Sequence, residues 1–264
     1  MVIMKEQVKK FIGTIGYKVL TKKRFEVLER GPYIPDLDFH YLLKNVINKS
    51  EQICCLDIGA NVGQTTKKFK AYFPNATIHA FEPIKKTYDL LSINTANLEG
   101  VTAYCEAMGN SIGEHRVYHR KDTLWNSLVN DLNIVAQKEG ATSEIITVNS
   151  VDHFLADKKI KKVDILKSDT EGYDLNVLEG AKDSLSKNMI EIIYVEVGFD
   201  SHDLQHTYLV DVMEFLNTYN YSFCGLFELA YGGNFKLYYA NALFISKKRL
   251  EMNQHLHCNQ ILNA

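Results

Sequence analysis

The sequence predicts an α/β protein whose central parallel sheet is closed by an antiparallel hairpin, and three observations carry that reading. From residue 53 onward, apolar runs of strand length alternate with segments of helical periodicity, the βαβ order that a parallel sheet requires. Residues 53–69, ICCLDIGANVGQTTKKF, read as a buried strand, a tight glycine turn and a helix. Near the carboxyl terminus, two β-rich runs over 221–227 and 240–245 flank Gly232 and Gly233 and are expected to pair as the hairpin.

Taken in order, residues 1–50 stand apart as a helical extension. Residues 1–30 hold eight Lys or Arg against three Glu, and Val8, Phe11, Ile12, Ile15 and Val19 recur at helical spacing. A basic amphipathic helix of this kind can rest on an anionic membrane surface, giving peripheral membrane contact through residues 1–30. A helical lid packed on the main domain is the favoured reading. Gly31-Pro32 breaks the pattern, and a helix over 36–46 leads into the first strand.

The first strand ends at Asp57, and its apolar run suits burial on both faces. Residues 77–81 form the second strand, ending in Glu82-Pro83, and 85–98 the next helix. Residues 101–105 form the third strand, ending at Glu106; 114–119 can return beside it as an added hairpin strand. The polar stretch 122–140, with the single Trp125, takes no clear element. Residues 144–148 read as a strand, and Ser150 is a candidate N-cap for a short helix. A strand over 163–168 runs into Asp169, Thr170, Glu171 and Gly172, and a helix with Leu175, Val177 and Leu178 ends near Gly180. Residues 190–197 form a strong strand containing Glu196. Leu209, Val212, Met213 and Leu216 then mark a helix. The expected division is an extension over 1–50, an α/β domain over 51–250 and a tail over 251–264.

Composition narrows the class. A 264-residue chain, 46% hydrophobic and 23% charged, fits one filled α/β domain with an appendage. A net charge of -2 argues against nucleic acid as an obligatory partner. Cysteines 54, 55, 105, 224 and 258 form no C-x-x-C pair and leave an odd count, which fits a reducing cytoplasm. No apolar run approaches the roughly 20 residues of a spanning helix, and Lys5, Glu6, Lys9 and Lys10 interrupt any signal-peptide character.

The turn after the first strand is D-x-G-x-N-x-G. A dinucleotide fingerprint requires G-x-G-x-x-G, whereas positions 61 and 64 here are Asn and Gln. The carboxylate of Asp57 would repel a phosphate and suits an ammonium or a sulfonium; S-adenosyl-L-methionine carries both. Asp57, Glu82, Glu106, Asp169 and Glu196 all end strands, so their carboxylates are expected to share one rim. Glu82 lies 25 residues after Asp57, near the spacing at which an acid reaches ribose hydroxyls. Lys167, a charge inside a central strand, needs a partner or an exit to solvent. Oxygen ligation of a divalent cation by Asp169 and Glu196 is conceivable, but no metal ligand is assigned. His79 is read as core, and His119, His153, His202 and His206 as surface residues that could also line an acceptor site.

In the order LDIGANVGQ, HAFEP, DILKSDTEGYDLNVLEGA and YVEVG, residues 53–197 resemble the FkbM-type methyltransferases. Ser168 and Thr170 occupy slots that usually hold aliphatic residues, a difference expected to touch packing alone. The resemblance implies a class I methyltransferase fold, Rossmann-like, with a seven-stranded mostly parallel sheet flanked by helices. It also implies S-adenosyl-L-methionine as cofactor, with Asp57, Gly59, Asn61 and Gly63 around its methionine part, Glu82 on the ribose and Glu106-Ala107 beside the adenine. Asp169 would face the methyl group as general base, with Glu171 second and Lys167 holding a carboxylate or a developing alkoxide. The implied acceptor is a hydroxyl on a glycan or small-molecule natural product, as in polysaccharide or natural-product biosynthesis. A non-catalytic cofactor-binding module and an NAD-dependent oxidoreductase are the competing readings.

Overall fold

The apolar runs of the sequence become strands because helices seal both of their faces. The computed structural model describes Leu43, Ile47 and residues 52–118, 142–232 and 236–252, all within one compact unit, Asp38–Ala264. Most of the expected helical extension, the segment around Trp125, His119, Gly233, Cys258 and the tail beyond residue 252 lie outside the described residues.

In chain order the elements are β1 (Cys54–Ile58), α1 (Gln64–Tyr72), β2 (Thr77–Phe81), α2 (Lys85–Thr95), β3 (Val101–Tyr104), β4 (Ala107–Met108), β5 (Gly113–Tyr118) and β6 (Ser143–Asn149). They continue as α3 (Val151–Asp157), β7 (Val163–Ser168), α4 (Asp174–Glu179), α5 (Lys182–Ser186), β8 (Ile190–Gly198), α6 (Leu209–Thr218), β9 (Tyr221–Tyr231) and β10 (Leu237–Ser246). Seven strands form one sheet in the order β3-β2-β1-β7-β8-β10-β9. Six of the strands run in one direction and β10 runs against them, antiparallel to both β8 and β9. This is the class I methyltransferase arrangement that the resemblance implies.

Successive side chains of the central strands point to opposite faces. Cys55, Ile165 and Ile192 pack with Phe69, Phe73, Leu43 and Ile47 on one side. Leu56, Leu166 and Ile193 pack with Phe154, Leu178 and Leu216 on the other. Each fully buried side chain of this size contributes about 1.5–3 kcal/mol, so two filled faces hold the sheet against its helices. Ser150 caps α3 as expected, its Oγ accepting from His153 N at 3.2 Å. Among the described residues no helix is long and apolar enough to cross a membrane.

Two expectations fail in detail. The chain leaves the main sheet after Tyr104, so the third strand stops short of Cys105, which is exposed. Strand β5 does not extend that sheet either. It pairs antiparallel with β6, which pairs parallel with β4, as a separate three-stranded sheet. The crossing is tight: a Cβ on Gly180 would stand 2.0 Å from Gly109 O. This small sheet brings Val117 and Ile146 to the carboxyl ends of the main strands, against Ile84 and Ala107.

Candidate functional site

The turn after β1 is shaped by the protein itself before any ligand is considered. Gly59, Asn61 and Gly63 all take positive φ, at 70°, 50° and 92°. A Cβ on Gly59 would fall 1.8 Å from the carbonyl oxygen of Asp169; glycine is needed because the turn after β7 runs directly against it. Gly63 is pressed instead against Leu91 and Thr95 of α2.

Asp57 stands opposite Lys167 in the β1–β7 register, so the two side chains share a face. Both are buried. Lys167 Nζ lies 3.2 Å from Asp57 Oδ1 and 3.5 Å from Asp169 Oδ2, and it donates to Gly59 O at 2.9 Å. Thr66 Oγ1 donates to the other Asp57 oxygen at 2.6 Å. Burial pulls the Lys167 pKa down, but the Asp57 and Asp169 carboxylates outweigh it and leave the ammonium above its usual range.

A cavity of about 140 Å³ opens where β2, β1 and β7 end. On the β2 side, Glu82 Oε1 accepts from Ile84 N at 3.0 Å and Oε2 from Asn61 N at 3.2 Å. Burial nevertheless raises its pKa to about 7, against the lowering effect of those two amides. Ile84, Met108, Val117 and Ile146 form an apolar wall beside it, with Glu106 and Ala107. On the β7 side the lining is Asp169, Thr170, Glu171 and Tyr173. Asp169 is 39% exposed at its side chain. Glu171, at φ 53°, is raised to about 8 by burial and then by the charges of Asp169 and Asp174.

Beneath this turn, buried Asp174 braces the backbone. It accepts from Ser168 Oγ at 2.5 Å, Thr170 N at 3.1 Å and Thr207 Oγ1 at 3.4 Å. Burial raises its pKa to about 6 despite these bonds. Glu196 is pushed well up by burial and by the Asp169, Asp174 and Glu171 charges.

Of the residues singled out by sequence, the cavity collects Gly59, Asn61, Glu82, Glu106, Ala107, Asp169 and Glu171. Asp57, Gly63, Lys167 and Glu196 do not line it. The five strand-end acids therefore divide, with Glu82, Glu106 and Asp169 on the cavity and Asp57 sealed beneath it. Lys167 does not reach solvent; it ties the two turns together. Ser168 does more than pack, since its hydroxyl holds Asp174. His206 is buried rather than superficial, bonded to Asp203 at 2.7 Å. Sequence reasoning passed over Tyr173 and Asp174, although both stand in the DTEGYD run that it had marked. Among the described residues no three His, Cys, Asp or Glu side chains converge as a metal-binding set.

Residues 57–223 match the family described as the methyltransferase FkbM domain. The chain is 28% identical to "Methyltransferase 1" of Beauveria bassiana (strain ARSEF 2860) over 158 residues, covering 54% of this chain and 63% of that protein. It is 29% identical to "Methyltransferase sdnD" of Sordaria araneosa over 152 residues, covering 47% of this chain and 59% of that one. The matches thus span less than two thirds of either relative. Among solved structures it is similar to M. capricolum TrmK in complex with S-adenosyl-homocysteine, with a TM-score of 0.46 and 12% identity over 80% of this chain and 69% of that one. It is also similar to Aeropyrum pernix fibrillarin with bound S-adenosyl-L-methionine, with a TM-score of 0.43 and 9% identity over 75% and 69% of the two chains. The family match runs through every acid on the cavity and covers more than half of the sequence: the chain belongs to the methyltransferase FkbM domain family.

Proposed function

We propose that this chain is an S-adenosyl-L-methionine-dependent O-methyltransferase acting on a hydroxyl of a saccharide or glycosylated natural product. The observation that carries the proposal is one cavity joining Glu82 to the Asp169–Glu171 turn across the end of β1, in a chain of a methyltransferase family. The residues present fit the cofactor. Each Glu82 oxygen has one backbone amide partner and keeps lone pairs for vicinal ribose hydroxyls. Ile84, Met108, Val117 and Ile146 offer an apolar wall to a flat base. Gly59 and Asn61 present backbone where the methionine part would lie.

When bound, the cofactor supplies an electrophilic methyl group with a neutral leaving group. The protein's part is alignment, which can lower a barrier by on the order of 7–11 kcal/mol, and proton removal from a weakly nucleophilic hydroxyl, which contributes about 10²–10⁴-fold. Asp169 is the proton acceptor, because its carboxylate reaches the cavity while paired with Lys167. Lys167 is a positioning residue: it touches Asp57, Asp169 and Gly59 O from beneath. Glu171, raised to about 8, holds its proton at neutral pH and offers a hydrogen-bond donor to the acceptor oxygen. Calorimetric titration with S-adenosyl-L-methionine, S-adenosyl-homocysteine and NAD tests the cofactor directly. Micromolar binding of the first two without NAD is expected, and NAD binding alone would transfer the cavity to a dehydrogenase.

A further inference from the structure

A second cavity, of about 490 Å³, lies between the loop over 199–208 and the β9–β10 hairpin. It adjoins the first across the Asp169–Glu171 turn. A Cβ on Gly172 would fall 2.8 Å from Leu204 O, so the loop rests on the residue after Glu171. Tyr239, in its lining, stacks on His206 with ring centroids 4.7 Å apart. The Tyr239 phenol is pushed up by burial and then by Glu196, Glu171 and Asp169, which sets it within electrostatic reach of the reacting end. The hairpin side of this cavity, Ala230, Tyr231, Lys236, Leu237, Tyr238 and Tyr239, lies beyond the residues that match the family. The chain's own sequence builds it.

The lining has a particular chemistry. Tyr231 and Tyr238 are exposed aromatic faces. Asp200 and Asp203 each arrive with a basic partner, Lys236 at 3.0 Å and His206 at 2.7 Å. Each carboxylate keeps acceptor lone pairs beyond these bonds, and Lys236 offsets the charge of Asp200. With its lysine already engaged by Asp200, such a wall gives little counter-charge to a phosphorylated ligand. It does suit hydroxyl donors around a ring with one apolar face, where aromatic contact and several polar bonds act together.

Resting on the methyl-transfer reading, we propose that this second cavity is the acceptor site. It takes a neutral polyhydroxylated ring compound, stacked on the hairpin tyrosines and hydrogen-bonded through Asp200, Asp203 and Gln205. The test is saturation-transfer NMR on the full chain with S-adenosyl-homocysteine bound, its binding first established by titration. The probes are methyl α-glucopyranoside, methyl α-mannopyranoside, maltose and cellobiose, with glucose 6-phosphate and hydroquinone as comparators. Ring protons of at least one neutral sugar should saturate. Tyr238→Ala and Asp200→Asn should each weaken that sugar tenfold or more, with S-adenosyl-homocysteine affinity kept within twofold and Tyr238→Phe close to wild type. The proposal is overturned if no neutral sugar saturates, if either comparator binds better, or if both variants bind the sugar unchanged. Failure of S-adenosyl-homocysteine to bind would instead overturn the methyl-transfer reading beneath it.

Discussion

Lys167 and Asp57 form a buried ion pair, 3.2 Å apart, between adjacent central strands. Its place beneath the cavity gives Asp57 a structural task distinct from ligand contact. Removing Lys167 leaves Asp57 charged and sealed from water, which typically costs about 3–5 kcal/mol; removing Asp57 costs less, because Lys167 keeps Asp169 as a second partner. Asp57→Ala and Lys167→Met should therefore each lower the urea midpoint, the latter more. The double variant Asp57→Leu/Lys167→Met should recover much of the loss. Single variants that unfold like wild type would mean that the pair holds nothing.

Glu82 offers a second test through its protons. Its pKa is raised to about 7 by burial, whereas hydroxyl donors favour the ionised form. Cofactor binding should thus release protons below pH 7, and affinity should rise from pH 6 to pH 8. Calorimetry in buffers of different ionisation enthalpy reads that release. Glu82→Gln should abolish the pH dependence and weaken binding about tenfold, on the order of 1.4 kcal/mol.

The acids around the β7 turn predict how stability varies with pH. Glu171 titrates near 8 when folded against a usual 4.5, so the folded state binds more protons between those values. Its stabilising contribution is complete below about pH 4.5 and is lost as pH rises through 8. Glu196, raised further in the same direction, extends the decline to higher pH. Denaturation midpoints of the ligand-free protein should fall from pH 6 to pH 9, and Glu171→Gln should flatten the slope. A midpoint that rises over this range would contradict the burial of these acids.

Asp169 carries the prediction about chemistry. Asp169→Asn keeps size and hydrogen bonding but cannot take a proton. Cofactor affinity should stay within a few-fold of wild type while methyl transfer falls by roughly 10²-fold or more. Equal losses of binding and transfer would make Asp169 a cofactor ligand and move the base to Glu171.

The main sheet was legible because a strand buried on both faces has few alternatives to a continuous apolar run, as at Cys54–Ile58 and Val163–Ser168. The separate small sheet was not, since the two residues of β4 carry no period and their pairing is decided by the distant β6. The sequence marks Gly59 as part of a tight turn, but the neighbour that requires glycine there, the Asp169 carbonyl, is brought up only by the fold. Asp57 looked like a rim acid because sequence shows where a strand ends and not which residue stands opposite. Once the register pairs it with Lys167, its inward direction follows. Ser168 looked like a packing residue because its partner, Asp174, is reached only after the chain turns back.

The contact of Gly59 with Asp169, fixed beneath by Lys167, has a consequence for engineering. On the proposed reading, the segment that would meet the methyl donor and the segment that bears the proposed base have no joint between them. Libraries that loosen the turn after β1 to admit bulkier cofactor analogues should displace Asp169 in the same stroke. The β9–β10 hairpin shares none of these contacts, so diversity aimed at the proposed acceptor cavity belongs at Tyr231 and Tyr238, whereas Tyr239, which feels the charges of Glu171 and Asp169, is the hairpin position to keep.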